Sequence, residues 1–118
     1  MIRALSAVTL ATADMPRAIT FYESLGFERL HGGPRAGFTT FAAGASFLNL
    51  IAHPAALERR LVWWGRVIFH VDDVDALHAR VLALGLRPHD EPRDAPWGER
   101  FFHLTDPDGN ELSFARPL

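Results

Sequence analysis

The sequence predicts an α+β fold in which one βαβββ unit occurs twice, the eight strands forming a curved mixed sheet with both helices on its convex side. Three observations predict it. Val8-Thr9-Leu10 and Asp14 align with Val67-Ile68-Phe69 and Asp73 at an offset of 59, and the same offset places Leu25-Gly26 on Leu84-Gly85. Each copy runs from an alternating strand through an aspartate into an amphipathic segment that stops at glycine. The length of 118 residues, 48% of them hydrophobic, suits a single domain with a core rather than a disordered chain.

The elements follow in order. Asp14 and Asp73 stand where an N-cap accepts the free N–H groups of a first helical turn. Met15, Ala18, Ile19, Tyr22 and Leu25 recur at helical spacing, as do Val74, Leu77, Val81 and Leu84. Gly26 and Gly85 supply the left-handed residue that ends each helix. Extended segments are expected near Phe27–His31, Gly37–Ala42 and Ser46–Ala52, and in the second copy near Leu86–Asp90, Arg100–Thr105 and Glu111–Ala115. Gly32-Gly33-Pro34-Arg35 and Asp106-Pro107-Asp108-Gly109 are predicted turns. Module 1 thus covers about 1–52, a linker about 53–62, and module 2 about 63–118 of one domain.

Composition narrows the chemistry. Twelve basic against 14 acidic residues, a net charge of −2, argue against a nucleic-acid binder. The absence of cysteine removes disulfides, thiolate-held metals and thiol nucleophiles. Every basic residue is arginine, so lysine Schiff-base chemistry is excluded too. The first residues, with Ala11-Thr12-Ala13, imitate a secretory signal, but Ser6, Thr9 and Thr12 interrupt the apolar run and the repeat needs this strand in the fold. No apolar run approaches the roughly 18–20 residues of a membrane helix, and a cytoplasmic protein is expected.

Strand parity separates two faces. Val8, Leu10, Leu48, Leu50, Val67, Phe69, Val71, Leu112 and Phe114 form the faces that the helices should cover. The opposite parity brings Ala7, Thr9 and Ala11, Phe47, Asn49 and Ile51, Arg66, Ile68 and His70, and Glu111, Ser113 and Ala115 to a half-polar cup, the lining expected of a ligand pocket. Arg66 needs an answering charge there, either Glu111 or an anionic or carbonyl-rich ligand. Trp64 shares the side of Arg66: with Phe47 and His103 it either walls in a planar ligand or, with Trp63, packs against the linker or a second subunit; with a ligand present, Asn49 and Ser113 add orienting hydrogen bonds. Trp97 is expected as a surface anchor. Arg66 is expected level with Ser113, which sets His70 and Glu111 about 20 Å apart and unable to share one ion.

These residues resemble a known family. The repeated strand-Asp-helix-Leu-Gly pattern, with Asp106-Pro107-Asp108-Gly109-Asn110 ahead of the last strand, is similar to the vicinal oxygen chelate superfamily. That superfamily contains glyoxalase I, extradiol dioxygenases, fosfomycin-resistance enzymes and bleomycin-binding proteins. The resemblance implies four cup positions that hold a metal in the metal-using members, and here they are Ala7, Asn49, Arg66 and Ser113. None is a strong ligand for a divalent cation. A metal-independent protein without a cofactor is therefore expected, binding a planar or anionic small molecule. The resemblance further implies a homodimer. The alternative is an enzyme, either a cofactor-free isomerase or hydrolase using His103 or Glu111 as base, or a metal-dependent lyase or dioxygenase. Calcium-loop, phosphate-loop and Ser-His-Asp patterns are absent from the sequence.

Overall fold

The computed structural model describes residues 1–54, 56–57 and 62–118. Strand β1 (Ala7–Thr12) leads into helix α1 (Met15–Ser24), followed by β2 (Arg29–His31), β3 (Phe38–Ala43) and β4 (Ser46–Ala52). The second copy holds β5 (Arg66–His70), helix α2 (Val74–Ala83), β6 (Arg93–Asp94), β7 (Glu99–Thr105) and β8 (Glu111–Pro117). Hydrogen bonding joins the eight strands as two mixed sheets of four, ordered β1-β4-β3-β2 and β5-β8-β7-β6. In each the first strand runs parallel to the last and the others are antiparallel. Part of the linker expected at 53–62 lies outside the described residues.

Both helices begin and end for the same local reasons. The Asp14 carboxylate accepts from the Arg17 N–H at 3.1 Å, and Asp73 accepts from Ala76 at 2.9 Å. At the other end Gly26 (φ 101°) and Gly85 (φ 79°) take the left-handed turn, a backbone region costly for a side chain bearing Cβ. That turn lets Phe27 N–H reach Tyr22 O and Leu86 N–H reach Val81 O, both at 3.1 Å, which satisfies carbonyls the helix would otherwise leave open.

The core faces assigned by parity hold, whereas Ala11, Ser113 and Ala115 of the opposite set are buried too. Leu10, Leu48, Leu50, Leu112 and Phe114 are buried in one core with Met15, Ile19, Tyr22, Val74 and Val81, and Val8, Val67 and Phe69 pack on it. Phe27 meets Phe69 edge-on at 5.0 Å and Phe69 stacks on Phe114 at 5.8 Å, so the core is continuous between modules. A polar staple adds to it. The buried Tyr22 hydroxyl donates to Asp106 Oδ2 at 2.6 Å across 84 residues, and Ala13 N–H donates to Asp108 Oδ1 at 2.9 Å. The turn around Asp106 therefore also clamps module 2 to module 1.

One element differs from expectation. Residues 86–90 form no strand; the edge strand is Arg93–Asp94 instead. Leu86 is spent on closing α2, Pro88 has no N–H to offer a ladder, and only His89 N–H reaches β7, at His103 O, 2.9 Å.

Candidate functional site

The faces turned away from the core hold most of the residues expected in the site. In the first sheet Thr9, Asn49 and Thr40 lie in one cross-strand row. Thr40 Oγ1 donates to Asn49 Oδ1 at 2.8 Å and Asn49 Nδ2 donates to Thr9 Oγ1 at 3.2 Å. This polar row sits between apolar ones: Ala7, Phe47 and Ala42 on one side, Ala11, Ile51 and Phe38 on the other. Asn49 is thus fixed by its neighbours, whereas the Phe47 ring is left 42% exposed beside it.

In the second sheet Arg66 pairs across the ladder with Glu111, not with Ser113. The expected register was two residues out, because parallel strands are set by the loops and helix that join them rather than by either strand alone. Ser113 instead lies between Ile68 and His103. Arg66 Nε donates to Glu111 Oε2 at 2.6 Å, so the internal partner answers the guanidinium. Its Nη nitrogens make no hydrogen bond among the described residues. Trp63, rather than Trp64, completes this group: its indole N–H donates to the same Oε2 at 3.1 Å and its ring lies under the guanidinium at 5.6 Å. Trp64 turns to Asn110 Oδ1 at 3.1 Å, which the strand parity alone did not foresee.

His103 stands one row along on β7, with Phe101 at 5.1 Å and His89 at 6.0 Å between ring centres. Trp97 stacks on Phe101 at 5.7 Å and, at 69% exposed, is a surface residue as expected. His70 is engaged elsewhere, its Nε2 2.9 Å from Glu99 Oε2. Burial and the nearby Arg66 charge hold the His103 pKa below the usual imidazole value, favouring the neutral ring. Burial alone would raise the Glu111 carboxyl, but the hydrogen bonds from Arg66 and Trp63 and the Arg66 charge outweigh it and keep the pKa below the usual range.

His89 is the residue that the sequence did not single out. Its Nδ1 lies 3.7 Å from Glu111 Oε1, and its Nε2 is 2.7 Å from Thr105 Oγ1. The repeat carried a signal for it. The segment after α1 supplies β2, whose His31 pairs with Thr40, and Thr40 occupies in the first sheet the place of His103 in the second.

A cavity of about 460 Å³ lies in a crevice between the modules lined by Ala7, Gly26, Phe27, Phe47, Ile68 and His70 among others. Of the expected cup lining it takes in Ala7, Phe47, Ile68 and His70, and of the residues expected to hold the ligand only Phe47. Its wall is mostly aliphatic and aromatic, and the Arg66–Glu111–His103 group is outside it, so that polar group and this crevice do not coincide.

The profile of the Glyoxalase/Bleomycin resistance protein/Dioxygenase superfamily matches residues 4–114. The chain belongs to that superfamily. Among solved structures, the superfamily member is similar to a bleomycin-binding protein complexed with bleomycin, at 26% identity and a TM-score of 0.77, covering 99% of this chain and 100% of that one. A bleomycin resistance determinant encoded on the transposon Tn5 gives 25% identity and a TM-score of 0.79, with 98% of each chain covered. Lactoylglutathione lyase from Agrobacterium tumefaciens shares the fold at 23% identity and a TM-score of 0.78, over 98% of this chain and 94% of that one. No protein with a curated description matches significantly in sequence. No helix among the described residues is long and apolar enough to cross a membrane.

Proposed function

We propose that this superfamily member is a small-molecule-binding protein that holds a planar or anionic ligand on the open faces of its sheets, through Phe47, Asn49, Trp64, Arg66, His103, Glu111 and Ser113. The observation that carries the reading is the composition of those faces. Polar rows that can orient a ligand run beside exposed apolar groups, Phe47 and Ile68 (57% exposed), that can stack or cover it. Binding needs no ion at Ala7, Asn49, Arg66 and Ser113, since an alanine and a permanent guanidinium fill two of these places and neutral side chains the others. The similarity to proteins whose names record bleomycin binding and resistance favours this reading over catalysis.

We take the chain as one domain acting in the cytoplasm as a homodimer. Phe38, Phe47 and Ile51 on the first sheet, with Ile68 and Trp63 on the second, leave apolar surface exposed. A second copy would cover it and close each open face. An alternative reading rests on His103: a neutral imidazole beside Arg66 and an ionised Glu111 suits a general base for a cofactor-free isomerase or hydrolase. Turnover of a bound compound would select it.

The test is calorimetric titration with a panel of planar aromatic carboxylates and glycopeptide antibiotics. At least one compound is expected to bind, and Arg66→Met is expected to weaken an anionic one at least tenfold, about 1.4 kcal/mol. Binding of every compound unchanged by Arg66→Met, or no binding at all, would reject the reading.

A further inference from the structure

We infer that His89, His103 and Glu111 form a divalent transition-metal site on the open face of the second sheet, at positions separate from Ala7, Asn49, Arg66 and Ser113. One ligand atom from each of the three lies within 4.8 Å of the other two. Metal–nitrogen and metal–oxygen bonds of about 2.0–2.2 Å put ligands of one ion roughly 3–3.5 Å apart, so the donors need close by at most roughly 1.3–1.8 Å. His89 can supply that movement, because its ring is exposed at the sheet edge.

The surrounding groups prepare each donor. The Thr105 hydroxyl 2.7 Å from His89 Nε2 can accept the Nε2–H, which leaves the Nδ1 lone pair facing Glu111 Oε1. Arg66 and Trp63 hold the other carboxylate oxygen, Oε2, and so fix the direction of Oε1. His103 is anchored on β7, and its backbone carbonyl accepts the His89 N–H at 2.9 Å, tying the two histidine-bearing segments together.

Two imidazoles and one carboxylate select zinc, cobalt, nickel or iron over magnesium or calcium, which prefer oxygen ligands. Three protein ligands leave coordination positions open on the face where the ligand is proposed to bind. The nearby Arg66 guanidinium opposes a second positive charge, and moderate affinity is expected for that reason. His70 takes no part; it is paired with Glu99.

The inference is independent of the ligand-binding reading, because the metal alone tests it. Titration of the full chain with Co²⁺ at pH 7.5 is expected to give one site with visible d–d absorption. His89→Ala and His103→Ala should each weaken it at least tenfold, while His31→Ala, on the exposed β2, should not. Thr105→Val should weaken it by roughly tenfold or more through the loss of the supporting hydroxyl. Since His89 is exposed, its replacement is expected to keep the fold, which thermal melting checks. Absence of a Co²⁺ site below millimolar concentration, or a site that survives both histidine substitutions, overturns the inference.

Discussion

Asp106→Ala is expected to lower the stability of the protein by about 3 kcal/mol, with a fall in melting temperature on the order of 10 °C. The Asp106 side chain is 4% exposed in residue terms and serves four donors. Tyr22 Oη–H and Asn110 Nδ2–H donate to Oδ2 at 2.6 and 2.9 Å, and the backbone N–H groups of Asp108 and Asn110 donate to Oδ1 at 2.9 and 2.8 Å. Burial pushes the carboxyl pKa up, the bonds from Tyr22 and Asn110 pulling against it, so removing the charge gives some relief. The relief is smaller than the loss. Each buried donor left without a partner costs about 1–3 kcal/mol, and the four act as one network rather than as independent bonds. Against a total stability of roughly 5–15 kcal/mol for a domain, that is a large share. Urea unfolding of the variant checks it; a change under about 1 kcal/mol would show that the turn folds without its central carboxylate.

The second large effect appears at alkaline pH. Tyr22 is the single tyrosine of the chain and is completely buried. Burial first, then the charge of Asp106, raises its pKa well above the ordinary value. At pH 11 the unfolded chain has therefore lost the phenolic proton and the folded chain has kept it. A proton bound more tightly in the folded state makes stability fall as pH rises past 10, with a limiting slope of about 1.36 kcal/mol per pH unit. Below pH 10 this contribution is fully present. Absorbance near 295 nm is expected to show no tyrosinate until the protein unfolds, and Tyr22→Phe should remove one proton from the alkaline slope. Ionisation near pH 10 with the fold intact would contradict the buried bond to Asp106.

Much of this architecture was written in local signals. The offset of 59 placed both first strands, and the two aspartate caps and two glycine stops bounded both helices, because capping depends on a handful of adjacent residues. Side-chain parity located the core face for the same reason. What escaped were relations between distant segments. Arg66 opposite Glu111 instead of Ser113 is a matter of register, and a slip of two residues leaves the face unchanged, so the pattern of apolar residues could not detect it. Trp63 and Trp64 precede a strand, where alternation does not yet govern direction. Tyr22 looked like one more apolar helix position; its hydroxyl acquires a role only when the turn at Asp106 is brought against it from the far module. His89 was hidden inside a segment read as a strand, and its meaning depends on lying next to His103.

The central claim is that ligand chemistry resides on the open sheet faces rather than in the crevice between the modules. Backbone amide chemical-shift mapping of the isotopically labelled protein, with a compound selected by calorimetry, tests it most directly. The account predicts that the shifted amides cluster on Asn49, His103, Glu111 and Ser113. Shifts gathered instead at Gly26, Phe27, Ala43 and Gly44 would place the ligand in the crevice and contradict it.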